Sequence, residues 1–122
     1  MASRSVRGSV SYHAGQSAEL CVAADYERRG FTITHRRWRG AGGEIDLIAR
    51  DADGIVFIEV KKSSSHARAA ERLSQRQLAR IYRSAEDFIG HLPAGSNTDC
   101  RVDVALLDQQ GQIDILPNVL CA

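Results

Sequence analysis

Residues 43–62, GEIDLIARDADGIVFIEVKK, decide the fold, because they hold two apolar runs separated by a polar turn. Residues 45–50 and 55–60 are rich in β-branched aliphatics, and DADG between them is typical of a hairpin turn. The second run is apolar on both faces, which predicts a central strand. Charged residues nevertheless occupy positions in or beside these strands: Asp46, Glu59 and Lys61.

The position of the turn decides how these charges are arranged. Side chains alternate across a strand, so Glu59 and Lys61 share one face. A turn at residues 52–53 places Asp46 directly opposite Glu59, with Cβ atoms about 5 Å apart, whereas a turn at 53–54 places it opposite Lys61. Either turn clusters the three groups, but a loop of odd length would put Asp46 on the other face.

The chemistry of these residue types suggests a metal site. Two carboxylates about 5 Å apart on a half-buried surface repel each other unless a cation lies between them. Hard oxygen ligands suit Mg²⁺ or Mn²⁺, and an adjacent ammonium can pair with a phosphate or orient a water. The arrangement therefore favours metal-dependent phosphodiester hydrolysis, although ordinary ion pairing of Lys61 with Glu59 explains the spacing equally well.

The remaining segments predict a layered fold. Hydrophobic periodicity and turn residues predict the following elements: helix 16–29, strand 31–37 before the glycine-rich WRGAGG, helix 74–91, and strands 101–107 and 113–116. Helices and strands in this order predict an α/β or α+β sandwich around a central sheet. In the first helix, Glu19 shares a face with apolar residues, so it either extends to water at the edge of that face or points inward for a functional reason.

Length and composition restrict the class of protein. The 122 residues, 43% hydrophobic and 25% charged, predict one globular domain with residues 1–13 as a flexible N-terminal segment. Three cysteines without C-x-x-C spacing support neither a disulfide framework nor a zinc site, so we expect a reducing, cytoplasmic setting. The sequence has no signal-peptide core and no apolar run near the ~18 residues of a membrane span, so no membrane association is expected.

Basic segments flank the acidic stretch at residues 44–60, a pattern that suits a polyanion but also an ordinary mixed surface. The arginines that could contact phosphates lie in HRRWRG and at helical spacing near the second helix: Arg36, Arg37, Arg39, Arg68, Arg72, Arg76, Arg80 and Arg83. Trp38 either stacks on an unpaired base or anchors the end of a strand. We expect Arg101 and Asp103, on one face of a strand, to form a structural ion pair.

The run GEIDLIARD followed by VFIEVK resembles the YraN family, a branch of the PD-(D/E)xK nuclease superfamily that is similar to Holliday-junction resolvases. The match extends from about Gly15 to Asn118 and includes HRRWRG, RVDVALL and the terminal ILPN. The resemblance implies a restriction-endonuclease-like α/β fold with a central mixed β-sheet flanked by helices. The combined spacing of E-x-D, a turn and E-V-K is specific, whereas a lone E-x-K would not be.

The resemblance also implies roles for individual residues. Asp46 and Glu59 would ligate Mg²⁺ or Mn²⁺, with the Val60 carbonyl as a further ligand. Lys61 would be the catalytic lysine, and Glu19 would be the acidic residue of the first helix that approaches the site. Glu44 matches the pattern of the family and could serve the hairpin rather than the metal.

The sequence departs from the pattern of the family at two places that concern contacts with phosphate. Lys62-Ser63 stands where Thr-Arg is common, and Arg76 lies near the place of a frequent Lys. We therefore expect a metal-dependent endonuclease for structured or branched DNA, working as a homodimer like the resolvases. A catalytically silent module that binds nucleic acid or protein on the same fold is the alternative.

Overall fold

The computed structural model describes the backbone of residues 10–62 and 74–119, and the side chains from residue 17 onward within these ranges. Within these ranges, two helices and five strands follow one another, with a short 3₁₀ turn before the fourth strand. Their bounds are α1 Val10–Arg28, β1 Thr32–Gly40, β2 Gly43–Asp51, β3 Gly54–Lys62, α2 Gln75–Gly90, β4 Cys100–Leu107 and β5 Ile113–Leu116.

The five strands form one mixed sheet in the order β1-β2-β3-β4-β5. Neighbouring strands are antiparallel except β3 and β4, which run parallel, as expected when a helix connects them. The strand at 55–60 is central, as predicted. The α/β class with a central mixed sheet flanked by helices is confirmed.

The hairpin turn lies at residues 52–53, the first of the two predicted alternatives. Leu47 pairs with Ile58, and the ladder continues to Asp51 opposite Gly54. Asp51 Oδ1 accepts the backbone N–H groups of residues 53 and 54 at 2.9 and 3.1 Å, which fixes the turn. Gly54 has a φ of 150°, and a Cβ there would lie 2.4 Å from the Asp99 carbonyl oxygen, so no larger residue fits.

Each helix covers one face of the sheet. The α1 side contains Val22, Ala23 and Tyr26 packed on strand residues such as Leu47 and Ile58. On the other side α2 packs through a stripe of residues three or four apart: Leu78, Ile81, Ala85 and Phe88. Since both faces of β3 are covered, its aliphatic residues are buried on either side.

The second helix matches its prediction to within one residue. Ser74 caps the N-terminus, where its Oγ accepts the Gln77 N–H at 3.1 Å and the Gln77 side chain accepts the Ser74 N–H at 3.3 Å. His91 is the C-cap. The predicted extension of this helix to Arg68 and Arg72 falls outside the described residues.

Two boundaries differ from the predictions. Helix α1 begins at Val10, so residues 10–13 are helical and the expected flexible segment overlaps the helix; residues 1–9 lie outside the described residues. Strand β1 continues to Gly40 because its ladder with β2 extends to the Gly40–Gly43 pair. In residues 10–62 and 74–119, no helix has both the length and the hydropathy to cross a membrane.

Candidate active site

The candidate site lies where the side-chain alternation of β2 is interrupted. Leu47 and Ala49 face α1, but Ile48 and Ile45, three residues apart, both face α2. The recorded ladder between β2 and β3 ends at Leu47. Asp46 therefore lies at a local irregularity, which separates the strands and leaves room for side chains between them.

Asp46 and Glu59 interact directly across this opening. They follow the last pair of the ladder, Leu47 with Ile58, and the Val60 N–H donates to Asp46 Oδ2 at 2.8 Å. Burial, followed by the negative charge of Glu59, raises the pKa of Asp46 to about 7. Burial also raises the pKa of Glu59 above its usual range. Near neutral pH this pair favours a proton or another cation between its oxygens.

Two cationic side chains compensate part of this charge. Lys61 Nζ lies 3.4 Å from Glu59 Oε2, and the two side chains are 18% and 16% exposed. The charges of Lys61 and, more weakly, Arg80 act to lower the pKa of Glu59 but do not outweigh its burial. The structure thus brings Asp46, Glu59 and Lys61 together, while their chemical roles remain predictions.

Glu19 approaches the same cluster from α1. Its negative charge contributes to the raised pKa of Asp46, which places it on the site side of the helix. Glu19 Oε1 also accepts a hydrogen bond from Arg37 Nε at 3.3 Å. The Glu19 side chain is 20% exposed and has an arginine as its direct partner, and its role at a metal stays a prediction.

A cleft of about 280 Å³ opens over the carboxylates. Its walls come from the β1–β2 turn, the two hairpin strands and the first turns of α2: Gly42, Gly43, Glu44, Asp46, Glu59, Gln77, Arg80 and Ile81. A smaller cleft of about 130 Å³ near Gly54 and Asp99, at the other end of β3, contains none of the predicted site residues. The larger cleft is therefore the candidate active site.

Helix α2 holds the wall of this cleft through contacts that were not predicted from the sequence. Ser84 Oγ accepts the Gly42 N–H at 2.9 Å and donates to the Gly43 carbonyl at 2.8 Å, while Asp87 Oδ2 accepts the Ala41 N–H at 2.9 Å. A Cβ on Gly42 would lie 2.1 Å from the Arg80 carbonyl oxygen. The signal available in the sequence was Ser84, a hydroxyl residue among the apolar residues of α2. Gln77, one turn before Arg80 on the same helix face, was also missed.

The predicted phosphate-binding arginines do not form one group. Arg80 lies at the cleft and Arg76 is exposed on the first turn of α2, while Arg36 and Arg39 are exposed on the edge strand β1. Arg72 lies outside the described residues. Within the part of the chain that the structure describes, Arg76, Arg80 and Arg83 are exposed at helical spacing on α2, so a role of this row in binding phosphate stays a prediction.

Trp38 is a packing residue, the second of its two proposed roles. It lies inside β1 rather than in a loop, and its ring meets Phe88 edge-on with centroids 5.1 Å apart. Because Phe88 also contacts His35 and Phe57, Trp38 belongs to the aromatic cluster that holds α2 on the sheet.

The donor atoms of the site fit a hard divalent cation. Two carboxylates on facing strands, both with a raised pKa, provide anionic oxygens that a cation would stabilise. Among the described residues, no group of three or more His, Cys, Asp or Glu side chains forms a complete metal cage. That donor set suits Mg²⁺ or Mn²⁺, because Mg²⁺ usually binds through one or two carboxylates and retains several waters.

Comparison with known proteins agrees with the family predicted from the core motif. The model of a family described as "Uncharacterised protein family UPF0102" matches residues 18–107, from α1 to the end of β4. The chain belongs to UPF0102. The matched residues include Glu19, Asp46, Glu59 and Lys61, so the whole candidate site lies within the family domain. The predicted membership of the YraN family is thereby confirmed.

Relatives of this UPF0102 chain align over most of their length. A UPF0102 protein of Cereibacter sphaeroides is 55% identical over 94% of this chain and 98% of its own. One from Ruegeria pomeroyi is 50% identical over 92% and 91%, and one from Dinoroseobacter shibae is 40% identical over 95% and 87%. A solved repair endonuclease from Pyrococcus abyssi is similar over 79% of this chain and 39% of its own, with a TM-score of 0.49 and 16% identity.

Proposed function

We propose that this UPF0102 protein is a Mg²⁺- or Mn²⁺-dependent endonuclease that hydrolyses phosphodiester bonds of structured or branched DNA. The proposal rests on the juxtaposition of Asp46 and Glu59 at an open cleft, with Lys61 paired to Glu59. A structural ion pair would need Lys61 and Glu59 but would not need a second, unneutralised carboxylate opposite them. The raised pKa of Asp46 means that the fold retains an unfavourable charge arrangement, which is common at functional sites.

The side chains of the candidate site would have separate roles in the proposed reaction. Asp46 and Glu59 would hold the cation, and the Val60 N–H fixes the orientation of the Asp46 carboxylate. A bound divalent cation would lower the pKa of a coordinated water and offset charge that develops on the phosphate. Lys61, held beside Glu59, would orient the attacking water through an ammonium hydrogen bond.

Arg80 is the best-placed residue to bind a phosphate. Its charge acts on Glu59, and it lines the same cleft from α2. A guanidinium presents paired N–H donors that match phosphate oxygens without reading the base sequence. The exposed Arg36 and Arg39 on β1 would add contacts to the DNA backbone further from the cleft.

The decisive experiment is a cleavage assay with the purified protein on linear duplex, single-stranded and four-way-junction DNA, in Mg²⁺, Mn²⁺ or EDTA. We expect cleavage with either metal, none in EDTA, and a loss of at least about 1000-fold in Lys61→Ala. Lys62→Ala is the matched control, since this exposed neighbour on the same strand carries the same charge but points to the opposite face of β3. Equal cleavage by wild type and Lys61→Ala would contradict the proposal.

A catalytically silent nucleic-acid-binding module is the second candidate. It is favoured by one observation, that the described residues contain no complete group of three His, Cys, Asp or Glu metal ligands. Such a module would bind DNA in a salt-sensitive manner that depends neither on metal nor on Lys61. Fluorescence anisotropy in the same samples distinguishes this outcome from catalysis.

The predicted homodimer remains part of the proposal. Two symmetric cuts in a branched substrate require two active sites related by a twofold axis. Light scattering with and without junction DNA measures the mass directly. A monomer in both conditions would restrict the proposed reaction to one strand at a time.

A further inference from the structure

Arg37 holds an unusual backbone conformation beside the active site. Its φ is 53°, in the left-handed region that is disfavoured for residues other than glycine, asparagine and aspartate. Its guanidinium extends from β1 to Glu19 on α1, with Nε 3.3 Å from Oε1. The two side chains are 46% and 20% exposed, and ion pairs at such exposure add little stability. Stability alone therefore does not explain why the strand adopts this conformation at Arg37.

The position of this pair relates it to the carboxylate cluster. In the ladder, Arg36 pairs with Leu47 and Trp38 with Ile45, so Arg37 lies opposite Asp46. Glu19 in turn lies close enough to Asp46 to act on it electrostatically. Arg37 is thus bonded to the carboxylate that adds negative charge to the cluster from the α1 side.

Two cationic side chains pair with the carboxylates that act on Asp46. Arg37 pairs with Glu19, and Lys61 pairs with Glu59. Asp46, between them, accepts the Val60 N–H. A divalent cation held by Asp46 and Glu59 would also attract Glu19, whose charge already acts on Asp46, and would thereby weaken the bond of Glu19 to Arg37.

We propose that Arg37 is an exchangeable counter-ion of Glu19, which a divalent cation at the carboxylate cluster displaces, and that the released guanidinium then binds a phosphate of the substrate. This inference rests on the proposed function and specifies how its two ligands are coupled. Since coupling is reciprocal, the metal would increase affinity for DNA, and DNA would increase affinity for the metal by the same factor.

The test measures Mn²⁺ affinity of the metal-free protein by isothermal titration calorimetry, without DNA. In Arg37→Gln we expect Mn²⁺ to bind about twofold to fivefold more tightly, the range that an ion pair of this exposure supports. Arg36→Gln is the matched control for the general loss of positive charge on β1, and its effect should be clearly smaller. Arg37→Asn repeats the test with a residue that tolerates the left-handed conformation, in case the first variant folds poorly.

A double-mutant cycle makes the test specific to Glu19. In the Glu19→Gln background, Arg37→Gln should leave the Mn²⁺ affinity unchanged, because the competing carboxylate has been removed. An unchanged or weaker Mn²⁺ affinity in both Arg37 variants of the otherwise wild-type protein would overturn the inference. Persistence of the full Arg37 effect without Glu19 would overturn it as well.

Binding of a short duplex in Ca²⁺ or EDTA tests the second half of the exchange. Wild type should bind DNA more tightly in Ca²⁺, and Arg37→Gln should lose most of that gain whereas Arg36→Gln retains it. An equal gain in all three proteins would overturn the coupling. A wild-type protein that binds no Mn²⁺ would overturn the proposed function and the inference together, whereas failure in the Arg37 variants alone leaves the proposed function standing.

Discussion

Asp46 and Asp103 lie on the two strands that flank β3, yet the protein surrounds their carboxyl groups in opposite ways. Asp103 is 1% exposed and fully bonded. Its oxygens accept the Tyr26 hydroxyl at 2.7 Å, Arg101 Nε at 3.0 Å and the Asn118 N–H at 2.9 Å. Asp46 accepts one backbone N–H and faces a second carboxylate. The ion pair of Arg101 with Asp103 was predicted from their spacing and is confirmed.

The difference shows what each carboxylate contributes. A buried charge with enough donors joins distant elements, here α1, β4 and the segment after β5, at little net cost. Burial and the bond to Asp103 raise the pKa of Tyr26, so its hydroxyl remains a donor. A buried charge opposite another carboxylate weakens the fold and leaves capacity to bind a cation. We infer that the Asp103 network is structural and that the Asp46 pair is functional.

Alanine substitution at the two positions should separate these roles most strongly. Asp103→Ala leaves the Tyr26 hydroxyl and the Asn118 N–H without their acceptor and should lower the free energy of unfolding by about 3 kcal/mol. Asp46→Ala leaves the Val60 N–H without its acceptor but also removes a repelled carboxylate, and because the two effects oppose each other it should change this free energy by less than about 1 kcal/mol in the absence of metal. Urea denaturation at pH 7 in EDTA measures both.

The isosteric variant Asp103→Asn serves as the control for this comparison. It retains one acceptor oxygen, so its loss of stability should be intermediate between wild type and Asp103→Ala. If Asp46→Ala destabilised the protein as much as Asp103→Ala, the inference that Asp46 is held for function rather than stability would be wrong.

The pH dependence of stability should sharpen the contrast. The pKa of Asp46 is about 7 in the folded protein and about 4 in the unfolded chain, so between these values the folded state binds more protons. Stability therefore falls as pH rises from 4 to 7. Asp46→Asn keeps an acceptor for the Val60 N–H, so at pH 8 without metal it should be more stable than wild type by on the order of 2 kcal/mol.

Thermal unfolding in EDTA at pH 5 and pH 8 checks this prediction. The advantage of Asp46→Asn should be larger at pH 8 than at pH 5, while Glu86→Gln, an exposed substitution on α2, should match wild type at both. An equal difference between Asp46→Asn and wild type at both pH values would show that Asp46 has an ordinary pKa.

Much of the fold could be predicted because local signals agree with tertiary packing. The capping box of Ser74 and Gln77, the apolar stripe of α2, and the turn at 52–53 each specify structure within a few residues. The end of β1 could not be predicted, since Gly40 continues the strand only because Gly43 pairs with it. The glycines of WRGAGG predicted a loop, but in the folded protein the pairing with β2 makes Gly40 part of the strand.

The candidate site was predicted in part. The hairpin register brought Asp46, Glu59 and Lys61 together from spacing alone, but the choice between two turns required the structure. The approach of Glu19 to the site was predicted only from the family resemblance. Its bond to Arg37 depends on a left-handed residue in a strand, which sequence patterns do not specify. Contacts between elements far apart in sequence, such as Ser84 with Gly42, have no local signal.

Substitution of Ser84 should have a smaller effect on stability than Asp103→Ala. Ser84 is an uncharged residue that can be compared with both aspartates. It is buried like Asp103, but it holds the turn beside Asp46 through one accepted and one donated hydrogen bond. Ser84→Ala should cost about 1 kcal/mol in urea denaturation, because water can reach the freed groups of the partly exposed residues Gly42 and Gly43. Loss of the anchor should also loosen the cleft wall and weaken Mn²⁺ binding modestly, whereas Ser84→Thr retains the hydroxyl as a control. A cost near 3 kcal/mol would place Ser84 with Asp103, as a residue on which the fold depends. A smaller cost with weaker Mn²⁺ binding would place it with Asp46, as a residue that shapes the site.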